Sequence, residues 1–246
     1  DDYELYEAMA KEAYPILSKF DEGVLSSFYN KMREAVREYT KSGAIFIENS
    51  YFSNMGIECA VKGIENESQQ VYAPHGYDLV VDSPAIAIAS NKRVDVIFDA
   101  HKRVQDRLNV PVVVGEWGAH GKYAEGLYHI KHLLGKYDEN KWSHTFWAYF
   151  DEIEKAPVFD ILKRTYQVAV EGEIKSYSYD YDTSTFVMDW MGNQIGGDTV
   201  VYLPKMFKTI ETDCKYKTEE IGSGAYLLKL INCKKKLHKV IITLFR

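Results

Sequence analysis

Apolar residues in the first two thirds of the chain follow helical spacing in some stretches and form short continuous runs in others. Between Val24 and Val36 they recur every three or four positions, which predicts an amphipathic helix over about residues 22–40. The run at 44–47 is typical of a buried strand in a parallel sheet. The same alternation predicts strands at 71–73, 111–114 and 144–149 and helices at 94–108 and 127–134. Residues 1–171 therefore have the pattern of a parallel α/β fold.

The pattern changes near Gly172, where aromatic residues begin to alternate with polar ones. Strand-length apolar runs follow, glycines separate them, and no convincing helical spacing appears. The runs lie at 200–203, 225–228 and 240–243. We therefore predict two domains, an α/β domain at 1–171 and a small antiparallel β-sandwich at 172–246.

Composition is that of an ordinary globular protein. The 246 residues are 46% hydrophobic and 27% charged, and this length fits one large or two modest domains. The 30 basic and 36 acidic residues give a net charge of −6, which argues against nucleic-acid binding. No apolar run approaches the ~18 residues of a transmembrane helix, so we predict no membrane span.

Three cysteines, Cys59, Cys214 and Cys233, show no metal-binding spacing. A bridge between Cys214 and Cys233 is one interpretation, but buried thiols are our expectation. The chain opens with acidic residues where a signal peptide would be basic, and it lacks an initiator Met. We expect either a mature chain that has been trimmed or a sequence that begins within a longer polypeptide.

Polar and aromatic side chains cluster where three predicted strands end. In parallel α/β folds the carboxyl ends of the strands form the active face, so we expect these side chains to converge on one rim. They are His75, Tyr77 and Asp78 after strand 71–73, Glu116, Trp117 and His120 after strand 111–114, and Trp147, Tyr149, Asp151 and Glu152 at or beyond strand 144–149.

Glu116 is the most informative of these residues because it follows a buried strand. An unpaired ionised carboxylate is costly there, so we expect it to have donors, with Tyr77 and His75 as candidates. The alternative is a structural glutamate in an ion pair at the strand end. Metal binding by His75, His120 and Asp78 is disfavoured because no pair has the helical spacing of a zinc site. We predict no metal and no cofactor.

The segment Gly115-Glu116-Trp117-Gly118 resembles the nucleophile strand of glycoside hydrolase family 5, the cellulase-like retaining glycosidases. Residues 72–78, Tyr-Ala-Pro-His-Gly-Tyr-Asp, resemble the endoglycoceramidase-related branch, which has Pro-His-x-Tyr-Asp at its sixth barrel strand. Trp147 matches a Trp that this branch places at the end of the eighth strand. Residues 162–172 are similar to its exit from the barrel, with Thr165 in place of the usual Pro. The resemblance covers roughly residues 22–246.

The resemblance implies a fold and a role for each matched residue. It implies the C-terminal half of a TIM (β/α)8 barrel, strands five to eight, followed by a β-sandwich. Glu116 would be the nucleophile, Tyr77 would hydrogen-bond it, and His75 would contact the sugar or the second carboxylate. Trp147 would stack against the sugar at the cleavage point; the alternative is an aromatic residue of the barrel core. For Tyr77 and His75 the alternative is that they are partly buried polar residues whose hydrogen bonds are satisfied within the protein. Further substrate contacts are predicted at Trp117, His120 and Asp78.

The sequence departs from the family at the second catalytic carboxylate. The family takes its acid/base from an Asn-Glu-Pro motif that ends the fourth strand, and no Glu-Pro occurs in the chain. Half a barrel would also leave two open parallel edges, which soluble proteins avoid. We therefore expect a companion polypeptide that carries the first half of the barrel and the acid/base. The alternative is that residues 1–171 close into a smaller α/β layer that performs no hydrolysis.

These observations predict a retaining glycosidase that acts on glycolipids or related β-glucosides. The alternative is a carbohydrate- or lipid-binding protein without turnover on a degenerate glycosidase scaffold. A second carboxylate ~5 Å from Glu116 would favour hydrolysis. We expect an extracytoplasmic location by the habit of the family, and a β-domain that is structural or helps to dock an amphiphilic substrate.

Overall fold

The computed structural model describes residues 2–193, 196–231 and 233–245 and divides into two compact units. The first unit comprises Asp1–Leu133 and Trp142–Ile153, and the second comprises Leu134–Lys141 and Glu154–Arg246. Within the described part of the chain, no helix combines the length and apolar character that crossing a membrane requires. The predicted domain boundary near residue 172 stays a prediction.

Four helices belong wholly or partly to the first unit. They are α1 (Asp2–Phe20), α2 (Ser26–Tyr39), α3 (Asn91–Leu108) and α4 (Leu127–Asn140). A π-helical turn, Asp21–Leu25, joins α1 to α2, so the helix predicted from residue 22 is the second part of a longer helical segment. No helix was predicted for the residues of α1. This helix packs against α3, where the Tyr3 hydroxyl donates to Asp99 Oδ2 at 2.9 Å.

Five short strands form the parallel layer of this unit. They are β1 (Ile45–Ile47), β2 (Gln70–Tyr72), β3 (His75–Gly76), β4 (Val113–Gly118) and β5 (Ser143–Trp147). β1 pairs with β2, and β4 lies between β3 and β5, all in parallel. The predicted strand at 71–73 overlaps β2, and β3 follows it after Pro74, which has no N–H. The predicted parallel α/β layer is confirmed as a partial TIM-barrel-like fold.

Hydrogen bonds across residues 73–74 tie the strands of this layer together. The Ala73 N–H donates to the Ile47 carbonyl at 2.8 Å, and the Gly115 N–H donates to the Pro74 carbonyl at 2.9 Å. A parallel bridge between Tyr72 and Val112 adds a further link. The carboxyl ends of β1, β3 and β4 are therefore neighbours, and this arrangement positions the site described below.

The second unit contains a short helix, α5 (Pro157–Leu162), and two four-stranded antiparallel sheets. One sheet has the order β10-β13-β8-β7 and the other β11-β12-β9-β6. The strands are β6 (Tyr166–Ala169), β7 (Glu173–Asp180), β8 (Thr185–Met191), β9 (Thr199–Leu203), β10 (Phe207–Thr212), β11 (Lys215–Gly222), β12 (Ala225–Ile231) and β13 (Leu237–Leu244). Alternate residues of β8, β9, β12 and β13 form one apolar core, which confirms the predicted antiparallel β-domain.

The cysteines of the second unit correct one expectation. Cys214 and Cys233 form a disulfide, with 5.3 Å between their Cα atoms, although buried thiols were expected. The reason is the register of β11 and β12, which opposes Lys215 to Ile231 and so brings the flanking cysteines together. Cys59, in the first unit, is a free and buried thiol, and burial raises its pKa to about 11.

Candidate active site

Glu116 lies within β4, directly opposite His75 of β3 in the parallel register. The Tyr77 hydroxyl donates to Glu116 Oε2 at 3.0 Å, and His75 Nδ1 lies 3.5 Å from the same oxygen. The structure thus brings Glu116 together with the two donors that were predicted for it. Both contacts involve Oε2, and neither involves Oε1.

Tyr77 is held as a hydrogen-bond donor by its surroundings. Burial, and then the hydrogen bond to Glu116, raise the pKa of Tyr77 well above its usual value. The hydroxyl therefore stays protonated at neutral and mildly alkaline pH. A protonated hydroxyl beside a carboxylate stabilises the charged form of that carboxylate.

Two glycines leave room for the ring side chains of neighbouring elements. A Cβ on Gly115 would lie 3.1 Å from His75 Nε2, so the imidazole ring occupies the space that a side chain would fill. A Cβ on Gly76 would lie 2.1 Å from Cζ of Phe98, a fully buried residue of α3. Gly76 is therefore required for contact rather than for backbone conformation, and a side chain at Gly115 would press on the His75 ring.

A buried histidine that the sequence analysis missed holds the backbone of His75. His101 of α3 has Nε2 2.9 Å from the His75 carbonyl and Nδ1 3.0 Å from the Tyr72 hydroxyl. Burial lowers the pKa of His101 to about 4, so the ring is neutral, with its proton on the nitrogen that faces the carbonyl. The sequence could have indicated that His101 is buried, because it lies on the apolar face of α3, one helical turn after Ile97 and Phe98.

A second missed residue is Glu48, which follows β1 directly. Its Oε1 lies 3.3 Å from His75 Nε2, on the opposite side of the ring from Glu116. The signal was the same as for Glu116, a carboxylate immediately after an apolar strand run. Because its segment was interpreted only as a strand, Glu48 was not considered.

Asp78 does not contact this group, and its predicted role as a substrate contact is corrected. Its side chain is fully buried, and Arg93 donates to both of its oxygens, at 2.9 and 2.8 Å. The backbone N–H of Ser90, at the start of α3, also donates to it at 3.1 Å. Asp78 therefore fixes the loop after β3 to the beginning of α3.

Trp117 and His120 are likewise core residues rather than rim residues. Both are 0% exposed. Trp117 Nε1 donates to His144 Nδ1 at 3.1 Å, and His120 Nε2 lies 2.7 Å from the Glu125 carbonyl. Burial lowers the pKa of His120, which makes a neutral ring the favoured form. Their predicted contacts with substrate are therefore corrected.

Trp147 ends β5, opposite Gly118 of β4, and its side chain is 53% exposed. Ala119, which follows β4, donates its N–H to the Trp147 carbonyl at 2.7 Å. Tyr149, two residues further on, is 79% exposed. The structure therefore places exposed aromatic side chains just beyond β5, and the stacking role of Trp147 stays a prediction.

Comparison with family models matches nearly the whole chain. The model described as Cellulase (glycosyl hydrolase family 5) matches residues 15–152. The model described as Glycoside hydrolase family 5 C-terminal domain matches residues 164–242. No curated protein matches the sequence.

Solved structures with the same fold include three glycosidases. Endo-glycoceramidase II from Rhodococcus sp., in its ganglioside GM3 complex, is 18% identical with a TM-score of 0.76, over 93% of this chain and 56% of that one. Endogalactoceramidase is 14% identical with a TM-score of 0.68, over 89% and 53%. Sterylglucosidase 1 from Cryptococcus neoformans is 13% identical with a TM-score of 0.53, over 72% and 38%. The chain thus spans about 56% of the first of these.

Proposed function

Because the chain belongs to glycoside hydrolase family 5, we propose that it carries the nucleophile of a retaining glycosidase, and that this nucleophile is Glu116. The observation that carries the proposal is the pair of contacts to Glu116 Oε2, from the Tyr77 hydroxyl at 3.0 Å and His75 Nδ1 at 3.5 Å. With Oε2 held in this way, Oε1 is the oxygen that attacks the anomeric carbon. The product of that step is a covalent glycosyl-enzyme, which water then hydrolyses.

The reaction requires a second carboxyl group ~5 Å from the nucleophile to protonate the leaving oxygen and later to activate water. We propose that residues outside this chain supply it, either from a preceding segment or from a companion polypeptide that carries the first half of the barrel. The chain contains no Glu-Pro, and it spans about 56% of the Rhodococcus enzyme.

The inner face of the parallel layer supports the same proposal. Phe46 of β1 is 52% exposed although its strand neighbour Ile47 is fully buried. Among the described residues, β1 and β5 are each paired on one edge only. Open parallel edges and an exposed phenylalanine on β1 are features that the remaining strands of a barrel would cover.

For the substrate we propose a glycolipid or a related β-glucoside. Two similar structures are named endo-glycoceramidase II and endogalactoceramidase, and the first of them is a complex with ganglioside GM3. We also propose an extracytoplasmic location, because disulfides such as Cys214–Cys233 are typical of oxidising compartments. The β-domain is proposed to have a structural role or to help dock an amphiphilic substrate.

A second candidate function is binding without turnover on a degenerate glycosidase scaffold. The missing Glu-Pro motif is the observation that favours it. The two candidates differ in whether Glu116 can form a covalent bond to a sugar.

Covalent trapping distinguishes the two candidates. The complete enzyme, including the residues that supply the acid/base, would be incubated with 2-deoxy-2-fluoro-β-glucosides. These reagents would carry a good leaving group, such as fluoride, at the anomeric carbon. We expect mass spectrometry to place one sugar on the peptide that contains Glu116, and we expect Glu116→Gln to remove both the label and turnover. Glu125→Gln, an exposed glutamate in the same unit, is the matched control. Label on another carboxylate, or full turnover by Glu116→Gln, would contradict the proposal.

A further inference from the structure

Glu48 and Glu116 face opposite edges of the same imidazole ring. Glu48 Oε1 lies 3.3 Å from His75 Nε2, and Glu116 Oε2 lies 3.5 Å from His75 Nδ1. The side chain of His75 is 18% exposed, whereas that of Glu48 is 55% exposed. The ring is therefore bounded by a carboxylate on each side, although only Glu116 has a role in the reaction proposed above.

The backbones of both Glu48 and His75 are fixed by side chains from the helices. The Tyr29 hydroxyl of α2 donates to the Glu48 carbonyl at 2.7 Å and accepts the Glu48 N–H at 2.9 Å. Burial raises the pKa of Tyr29 to about 12, so this hydroxyl keeps its proton. His101 of α3 holds the carbonyl of His75 at 2.9 Å. The contact between Glu48 and His75 therefore joins two anchored positions.

The chemistry of the three groups restricts what the ring can do. An ionised carboxylate only accepts hydrogen bonds, and a neutral imidazole donates from one nitrogen only. A ring with a proton on each nitrogen can direct an N–H at both carboxylates. The charged groups that face the ring are Glu48 from β1 and Glu116 from β4, while the neutral His101 contacts only its backbone carbonyl.

We propose that Glu48 is a positioning residue that acts on the nucleophile through His75. Its carboxylate, 3.3 Å from Nε2, holds the imidazole ring in the orientation that keeps Nδ1 directed at Oε2 of Glu116. The Tyr77 hydroxyl and the ring then fix the same oxygen from two directions, and Oε1 keeps its orientation toward the substrate. This inference rests on the proposed role of Glu116 as the nucleophile.

The test measures how fast Glu116 is trapped in the complete enzyme by a saturating 2-deoxy-2-fluoro glycoside. Glu48→Gln keeps the shape of the side chain and removes its charge. We expect the trapping rate constant to fall about fivefold, the upper range for a partly exposed ion pair, with the affinity for the reagent within about twofold of wild type. Glu58→Gln is the matched control, because Glu58 is also in an ion pair, with Arg103.

A second comparison, made in a His75→Asn variant, distinguishes a positioning role of Glu48 from a general contribution to stability. His75→Asn retains an amide nitrogen near Nδ1 but lacks the nitrogen that faces Glu48. In the His75→Asn variant we expect Glu48→Gln to cause no further fall in the trapping rate constant. The proposal would be overturned if Glu48→Gln lowered the trapping rate constant equally in the wild-type and His75→Asn enzymes. It would also be overturned if Glu48→Gln lowered only the affinity for the reagent. Absence of any label in the wild-type enzyme would refute the nucleophile itself, and that result is distinguishable from failure of the Glu48 inference.

Discussion

Replacement of Tyr77 by phenylalanine removes one atom and one hydrogen bond from the candidate nucleophile. The hydroxyl donates to Glu116 Oε2 at 3.0 Å from a half-buried position, and phenylalanine fills the same space. In the second half of a retaining reaction, Glu116 is the leaving group and regains its negative charge. A donor on Oε2 interacts more strongly with the returning carboxylate than with the neutral ester, so it accelerates the breakdown of the intermediate.

The size of the effect follows from the charge on the acceptor. Hydrogen bonds to charged groups contribute about 1.5–3 kcal/mol, and about 1.4 kcal/mol corresponds to a tenfold change in rate, so kcat should fall ~10–100-fold. Because breakdown of the glycosyl-enzyme is slowed most, the intermediate should accumulate and KM should fall with kcat. The attack geometry of Glu116 is otherwise retained.

The assay is steady-state and burst kinetics on the complete enzyme with an aryl β-glucoside. Tyr39→Phe is the matched control, because it removes the same atom from a tyrosine at the end of α2 that is 86% exposed. The ratio of wild-type to Tyr77→Phe activity should stay constant from pH 5 to pH 9, since the raised pKa keeps the Tyr77 hydroxyl protonated throughout. A kcat within threefold of wild type, without a burst, would refute the assignment of Tyr77.

Three further predictions concern stability, and each is measured by urea unfolding. Gly76→Ala should lower the free energy of unfolding by about 1–3 kcal/mol, because its Cβ would lie 2.1 Å from Cζ of the buried Phe98; an unchanged midpoint would contradict this. Replacement of both Cys214 and Cys233 by serine should cost about 3 kcal/mol, since the bridge closes a loop with a sequence separation of 19; equal stability with and without the bridge would contradict it. The pKa of His101 is depressed to about 4 in the folded chain, so the stability it contributes is complete above the unfolded pKa of about 6.5 and declines as pH falls toward 4. His101→Gln should show a shallower decline over this window, and an unchanged slope would contradict the prediction.

The parallel layer was predictable because its strands are short apolar runs between turn residues. The same reasoning could have separated Glu116 from Trp117, because successive side chains of a strand point to opposite faces. Glu116 faces Tyr77 and His75, and Trp117 is therefore buried on the other side. The prediction that both contact substrate overlooked this alternation.

Other features depend on contacts between distant residues, and single-sequence patterns do not contain them. The carboxylate of Asp78 pairs with Arg93, 15 positions later in the chain. The identity of the two residues does not predict this pairing. The role of His101 depends on a carbonyl 26 positions away. The disulfide depends on the register of β11 and β12, which the spacing of the cysteines does not specify.

The outer strand β11 has a consequence for self-association. It is the edge strand of its sheet, and all of its residues from Lys215 to Gly222 are exposed. An edge strand presents unpaired backbone groups that can pair with the edge of a second molecule, but Lys215, Lys217, Glu219 and Glu220 place charges along this one. Bringing two such edges together in antiparallel or parallel alignment would require these side chains to lose water. The charges on β11 therefore oppose polymerisation through this edge, and we expect variants that replace its lysines by apolar residues to aggregate more readily.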